Sequence, residues 1–75
     1  MRIRFTLATT LPRPDRSVFT PDILQTMAAE VVGTPVDIDG LAVVVTQAYV
    51  EGRCGSVDLG GPPICYAALV VEAEP

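Results

Sequence analysis

Seventy-five residues with five Arg, nine Asp+Glu, and neither histidine nor lysine carry a formal net charge of −4. That length makes residues 1–75 one domain. The charge argues against nucleic acid as a partner, which needs a basic footprint, and the missing residue types exclude Ser-His-Asp, Cys-His, Ser-Lys and Schiff-base catalysis. The composition is 49% hydrophobic with mean hydropathy +0.43, yet only 5% aromatic with no tryptophan, so the core must be built from Val, Leu, Ile and Ala. A chain this small cannot easily hide so much apolar area, and an exposed apolar contact surface is expected.

In chain order, residues 2–9 alternate Ile3, Phe5 and Leu7 with Arg2, Arg4 and Thr6, the pattern of a half-buried strand. Residues 9–17 contain Pro12, Pro14 and two arginines and read as a long exposed loop. A helix follows over residues 21–32. Thr20 is its expected N-cap, Pro21 suits its first position, Phe19 can staple onto Leu24, and Gly33 with Pro35 stops it. Leu24, Met27, Ala28 and Val31 form its apolar stripe, broadened by Ile23.

Val36 and Ile38 then alternate with Asp37 and Asp39 in a short edge strand, and Asp39-Gly40 signals a tight turn. Residues 41–50 are almost continuously apolar and β-branched, as in a central strand or a strand awaiting a partner. Glu51-Gly52 reads as a turn, residues 54–59 as a weaker strand, Gly60-Gly61-Pro62-Pro63 as a wide turn, and residues 64–71 as a final strand before an acidic tail. The fold class expected is α+β: one helix packed on a small antiparallel β-sheet or incomplete barrel, in the order β-α-β-β-β with room for one more strand. A pure meander with the helix capping one end is the alternative.

Cys54 and Cys65 are too few for a disulfide framework or, without histidine, a four-ligand zinc site. They read as two small buried hydrophobes in preference to a disulfide. No apolar run reaches membrane-span length and the N-terminus does not open as a signal peptide, so the chain is expected to be cytoplasmic when made. The arginines cluster towards the N-terminus and acid loads the rest, which suits head-to-tail docking of copies. Asp37 and Asp39 would share a strand face and raise a cation-dependent enzyme as one hypothesis, although alternation on a solvent face explains them too. The glycine-rich segments lack the Lys-Ser/Thr of a phosphate loop. Arg13, Arg16, Tyr49, Arg53 and Tyr66 are the candidate interface residues, arginine for carboxylates and tyrosine for area with a polar tip.

Residues 18–52 also carry Phe19-Thr20-Pro21 opening a helix, Gly33-Thr34-Pro35-Val36 after it, a valine-rich strand over residues 43–50, and Glu51-Gly52. In this the chain resembles tailed-bacteriophage head proteins of the prohead (capsid maturation) protease type. Where that pattern places its histidine, this chain has Asp37 to Gly40, so no protease residue transfers. The resemblance implies a phage head scaffold without the catalysis: a non-enzymatic virion structural protein, a capsid-decorating or minor capsid subunit binding the major capsid protein or its own copies. No cofactor, metal, nucleic acid, membrane or small-molecule substrate is expected, and the location would be the virion, assembled in the host cytoplasm. A small cytoplasmic module that inhibits one host protein is the alternative from another class.

Overall fold

The structure is a computed structural model and describes residues 1–14, 20–55 and 61–75. Its elements in chain order are β1 (Ile3–Thr9), α1 (Asp22–Val31), β2 (Pro35–Ile38), β3 (Leu41–Gly55) and β4 (Ile64–Glu74). The four strands form one antiparallel sheet in the order β1-β4-β3-β2, with α1 against β3 and β4. Among the described residues the α+β class, the one helix and the strand–helix–strand–strand–strand order match the sequence reading. The sheet is open, since β1 and β2 lie at its two edges, so it is a sheet and not a barrel.

Leu24 and Ala28 of α1 are buried against Val43, Val45, Ala67, Leu69, Val71 and Ala73, with Met27, Val31, Val36, Ile38, Ile3 and Phe5 packed round them. This is the aliphatic core that the composition requires. Ile23 does not broaden the helix stripe: it is 69% exposed, because Leu24 and Ala28 already define the inward direction one residue round the helix. The strand β1 also departs from simple alternation. A bulge between Thr6 and Ala8 puts Ala8 opposite Leu69 and leaves Leu7 40% exposed, so Ala8 takes the inward place expected of Leu7.

The helix begins one residue later than expected. Pro21, extended at φ −69° and ψ 138°, occupies the N-cap position, with no side-chain cap, and its carbonyl accepts from Gln25 N–H at 3.2 Å. Thr20 is therefore not the cap, and the staple expected from Phe19 lies outside the described residues. At the other end Val32 (φ −63°, ψ 131°) and Gly33 (φ 87°) with the Thr34 N–H to Val31 carbonyl bond at 3.1 Å make a type II turn, which demands glycine at its second central position. The same turn docks on the sheet: Gly33 N–H donates to Val45 O at 2.8 Å, and Val45 N–H to Thr34 O at 3.0 Å. Asp39 (φ 50°) and Gly40 (φ 85°) then close the two-residue hairpin that the Asp-Gly pair signals, as Ile38 faces Leu41.

Three expectations fail in β3 and β4. Glu51 and Gly52 do not turn; they pair with Ala68 and Ala67, and β3 runs unbroken to Gly55. The acidic tail does not leave the sheet, since β4 continues to Glu74 between β1 and β3. Cys54 and Cys65 are not independent hydrophobes but a disulfide joining directly opposed positions, Cα to Cα 4.2 Å, with Cys65 buried and Cys54 exposed. In each case pairing along the central strand β4 overrides a local glycine or charge signal. The described part of the proline loop is also tied down, with Thr10 N–H on Ala67 O at 2.9 Å and Arg13 paired to Cys65 through both backbone bonds; residues 15–17 and 56–59, part of the loop and of the expected weaker strand, lie outside the described residues.

The result is long. A compact domain of this size has a radius of gyration of about 11 Å, whereas this one has 14.3 Å and extents of 45 × 23 × 15 Å. The cause is the β3–β4 hairpin: β2 pairs only with Leu41–Val44, so the rest of β3 runs on with β4 as an arm beyond the short edge strand.

Candidate protein-docking face

Residues directly opposite one another in an antiparallel pair share a face. The register therefore collects Arg4, Thr6 and Thr9 of β1, Ala68, Val70 and Glu72 of β4, and Gln47, Tyr49 and Glu51 of β3 on the side away from α1. Arg53 joins them opposite Tyr66. Ala68 and Val70 are 0% and 1% exposed although among the described residues no helix covers this side. They are enclosed by their flanking rows, Thr9 and Glu51 beside Ala68, Thr6 and Tyr49 beside Val70.

Charge on this face is balanced and internally engaged. Arg2 lies 3.6 Å from Glu72 and 3.8 Å from Glu74, and Arg4 3.9 Å from Glu51 while its guanidinium stands 5.7 Å over the Tyr49 ring. Arg53 donates from Nη2 and Nε to Glu51 Oε2 at 2.9 and 3.3 Å. Its guanidinium pKa is raised above the ordinary value, first by the Tyr66 hydroxyl and then by Glu51. Glu51 thus sits between two arginines, with a tyrosine beside each. The basic N-terminus and acidic C-terminal strand meet within one chain, which uses up in Arg2 and Arg4 the asymmetry that suggested head-to-tail docking.

Exposed pairs of this kind each contribute only about 0–1 kcal/mol to stability. Their more useful effect is to hold long side chains in set rotamers, lowering the entropy lost when a partner docks. Arginine and tyrosine are also the side chains enriched at protein interfaces.

Tyr49, Arg53 and Tyr66 lie on this one face, Arg53 opposite Tyr66. Arg13 is not with them: it pairs with Cys65, on the side of the sheet that carries α1. Arg16 lies outside the described residues. Arg4 and Glu51, the centre of the network, were missed. The period-2 series Gln47, Tyr49, Glu51, Arg53 carries the signal, but a turn assigned to Glu51-Gly52 cuts it in two. The expected exposed apolar surface does not form on this face; the exposed large apolar side chains are distributed over β1, α1, β3 and the connections, with Leu41 and Val44 on opposite sides of β3.

Asp37 and Asp39 do not form a pair on one strand. Asp37 Oδ1 accepts from Gly40 N–H at 2.9 Å, and Asp39 is in the turn. Among the described residues no group of three or more Asp, Glu or Cys is placed to hold a metal ion, and no helix is long and apolar enough to cross a membrane. No protein-family model, curated protein or solved structure matches the chain.

Proposed function

We propose that this chain is a non-enzymatic protein-binding subunit that docks through the helix-free face of its sheet. The observation that carries the reading is the joined set Arg4–Tyr49–Glu51–Arg53–Tyr66 over a closed Ala68–Val70 floor. Its partner presents carboxylates and arginines that exchange with Glu51, Arg4 and Arg53 at the rim, and flat surface for the two tyrosine rings.

The resemblance of residues 18–52 to phage head proteins makes the partner a capsid shell and the chain a decorating or minor capsid subunit of the virion. Repetition on a particle multiplies contacts that are individually weak. A disulfide across the arm supports an oxidising final setting such as a virion surface over a regulator acting in a reducing cytoplasm. Purified protein mixed with shells lacking it should co-sediment, and Arg53→Ala with Tyr66→Ala should lose at least tenfold in apparent affinity while keeping the fold. A shell that takes up none at any maturation stage, or a tight one-to-one complex with a cytoplasmic host protein, overturns it.

A further inference from the structure

A second surface lies at the rim of the sheet, on the outer edge of β3. Backbone direction there follows from bonds on the opposite side of β4. Cys65 uses its N–H and carbonyl on Arg13, at 2.7 and 2.8 Å, and Ala67 uses its own on Thr10, Oγ1 and N–H, at 2.9 Å each. Both residues therefore turn their backbone groups away from β3. Their partners in the register, Cys54 and Gly52, must do the same, and strand alternation adds Val50 and Ala48. These N–H and C=O groups point outward. Beyond the bulge between Val45 and Gln47, which shifts the alternation by one residue, Val45 faces the same way, with Gly33 and Thr34 occupying the edge there, and the pairing with β2 stops at Val44. Among the described residues no backbone bond reaches the outward groups of Ala48, Val50, Gly52 or Cys54.

A row of unpaired backbone groups on an extended strand is a template for another strand. We infer that β3 pairs along Tyr49–Gly55 with the same edge of a second copy of this chain, antiparallel, about a two-fold axis through Gly52. Charge selects both the partner and the register. An axis through Glu51 sets Glu51 against Glu51, and one through Arg53 sets arginine against arginine. An axis through Val50 faces Glu51 with Tyr49 and Arg53 with Gln47. Only the axis through Gly52 sets Glu51 of each copy opposite Arg53 of the other, in the non-hydrogen-bonded pairs where side chains approach most closely. The outward residues then match as Gly52 with Gly52 and Val50 with Cys54, giving about six backbone bonds. The paired window ends before Val45, whose edge is already filled, and the glycine on the axis offers no side chain to keep the backbones apart.

This pairing runs along the backbone edge of β3 and shares Glu51 and Arg53 with the docking face, and it is tested on the chain alone, without shells, so that it stands or falls separately from shell docking. It bears on that docking in one respect. A two-fold between antiparallel edge strands runs perpendicular to the sheet, so both helices lie on one side and both Arg–Tyr–Glu faces on the other, as one continuous platform.

Sedimentation velocity on the full oxidised chain alone, from about 10 µM to about 1 mM, tests the idea in the range of weak specific association. The wild type is expected to shift from monomer to dimer across the series. Gly52→Pro should stay monomeric with an unchanged far-ultraviolet spectrum, because its N–H faces away from β4 and proline is tolerated on such an edge. Arg53→Glu should weaken the dimer at least tenfold and Glu51→Arg/Arg53→Glu should recover it. A wild type that remains monomeric throughout, or a folded Gly52→Pro that dimerises as well as wild type, overturns the inference. If Gly52→Pro does not fold, the charge pair decides: a double variant no tighter than Arg53→Glu refutes the register and the pairing with it.

Discussion

Reducing the bond between Cys54 and Cys65 removes a covalent link across the arm without deleting an atom from its packing. The two residues are 11 apart in sequence, so the bond closes a short loop in the unfolded chain. Chain-entropy reasoning for a loop of that size assigns it about 9–10 cal/mol/K, or about 3 kcal/mol at 25 °C. Unfolding entropy of about 2.1 cal/mol/K per residue, over 75 residues, amounts to about 0.16 kcal/mol/K, and the loss should lower Tm by about 15–20 °C. Cys65 anchors more than the disulfide: it is 1% exposed and holds Arg13 by two backbone bonds, so β4 is fastened on both flanks at this level. Thermal unfolding followed by circular dichroism, with and without dithiothreitol, reads the shift, with Cys54→Ala/Cys65→Ala in parallel. A Tm that moves by less than about 5 °C, roughly 1 kcal/mol here, would refute the reasoning. It would mean that the arm opens independently of the helix-covered body, and that the link restrains a segment outside the cooperative unit.

Four further outcomes are expected. Leu69→Ala, at a position 0% exposed in the centre of β4, should cost about 3–5 kcal/mol by urea denaturation, the range for a buried leucine whose cavity cannot collapse. Leu24→Asp should abolish the cooperative transition, since it buries a carboxylate where α1 meets the sheet and among the described residues no charged side chain is buried there to pair with it. Gly40→Ala should cost about 1–2 kcal/mol: an added Cβ meets nothing within 4 Å, so the cost is that of φ 85° alone. Asp37→Asn should move the urea midpoint by less than the equivalent of about 0.5 kcal/mol, because the amide oxygen still accepts from Gly40 N–H across an exposed turn.

Local signals in this chain are trustworthy where one or two residues have no other conformation to take. Asp39-Gly40 and Gly33 required positive φ and have it, Pro35 ends the helix, and Leu24, Ala28 and Val31 face the sheet at helical spacing. Signals that describe a preference were overridden. Glu51-Gly52 favours a turn in isolation, yet the gain from pairing with Ala68 and Ala67 inside an extended ladder is larger. Leu7 has the correct parity for burial until one bulged residue inverts it.

The candidate site divides along the same line. Tyr49, Arg53 and Tyr66 are visible as exposed-type aromatic and arginine positions, but nothing in the linear order says that Arg53 faces Tyr66 or that Arg4 reaches over Tyr49 to Glu51. Those neighbours are joined by strand register across β1, β4 and β3, over 13 positions for Arg53 and Tyr66 (66 − 53) and 47 for Arg4 and Glu51 (51 − 4), and register is a property of the assembled sheet. The same holds for Cys54 and Cys65, whose chemistry changes from two small hydrophobes to one covalent bond once the ladder sets them opposite each other. What the amino-acid order determined alone is the helix, its stop, the tight turn, the aliphatic core and the absence of histidine and lysine chemistry, since each depends on side-chain type or backbone freedom at one place. The tertiary structure decided which strand lies at the centre, which edge stays open among the described residues and which charges meet, because those depend on hydrogen bonds between distant segments that no local preference encodes.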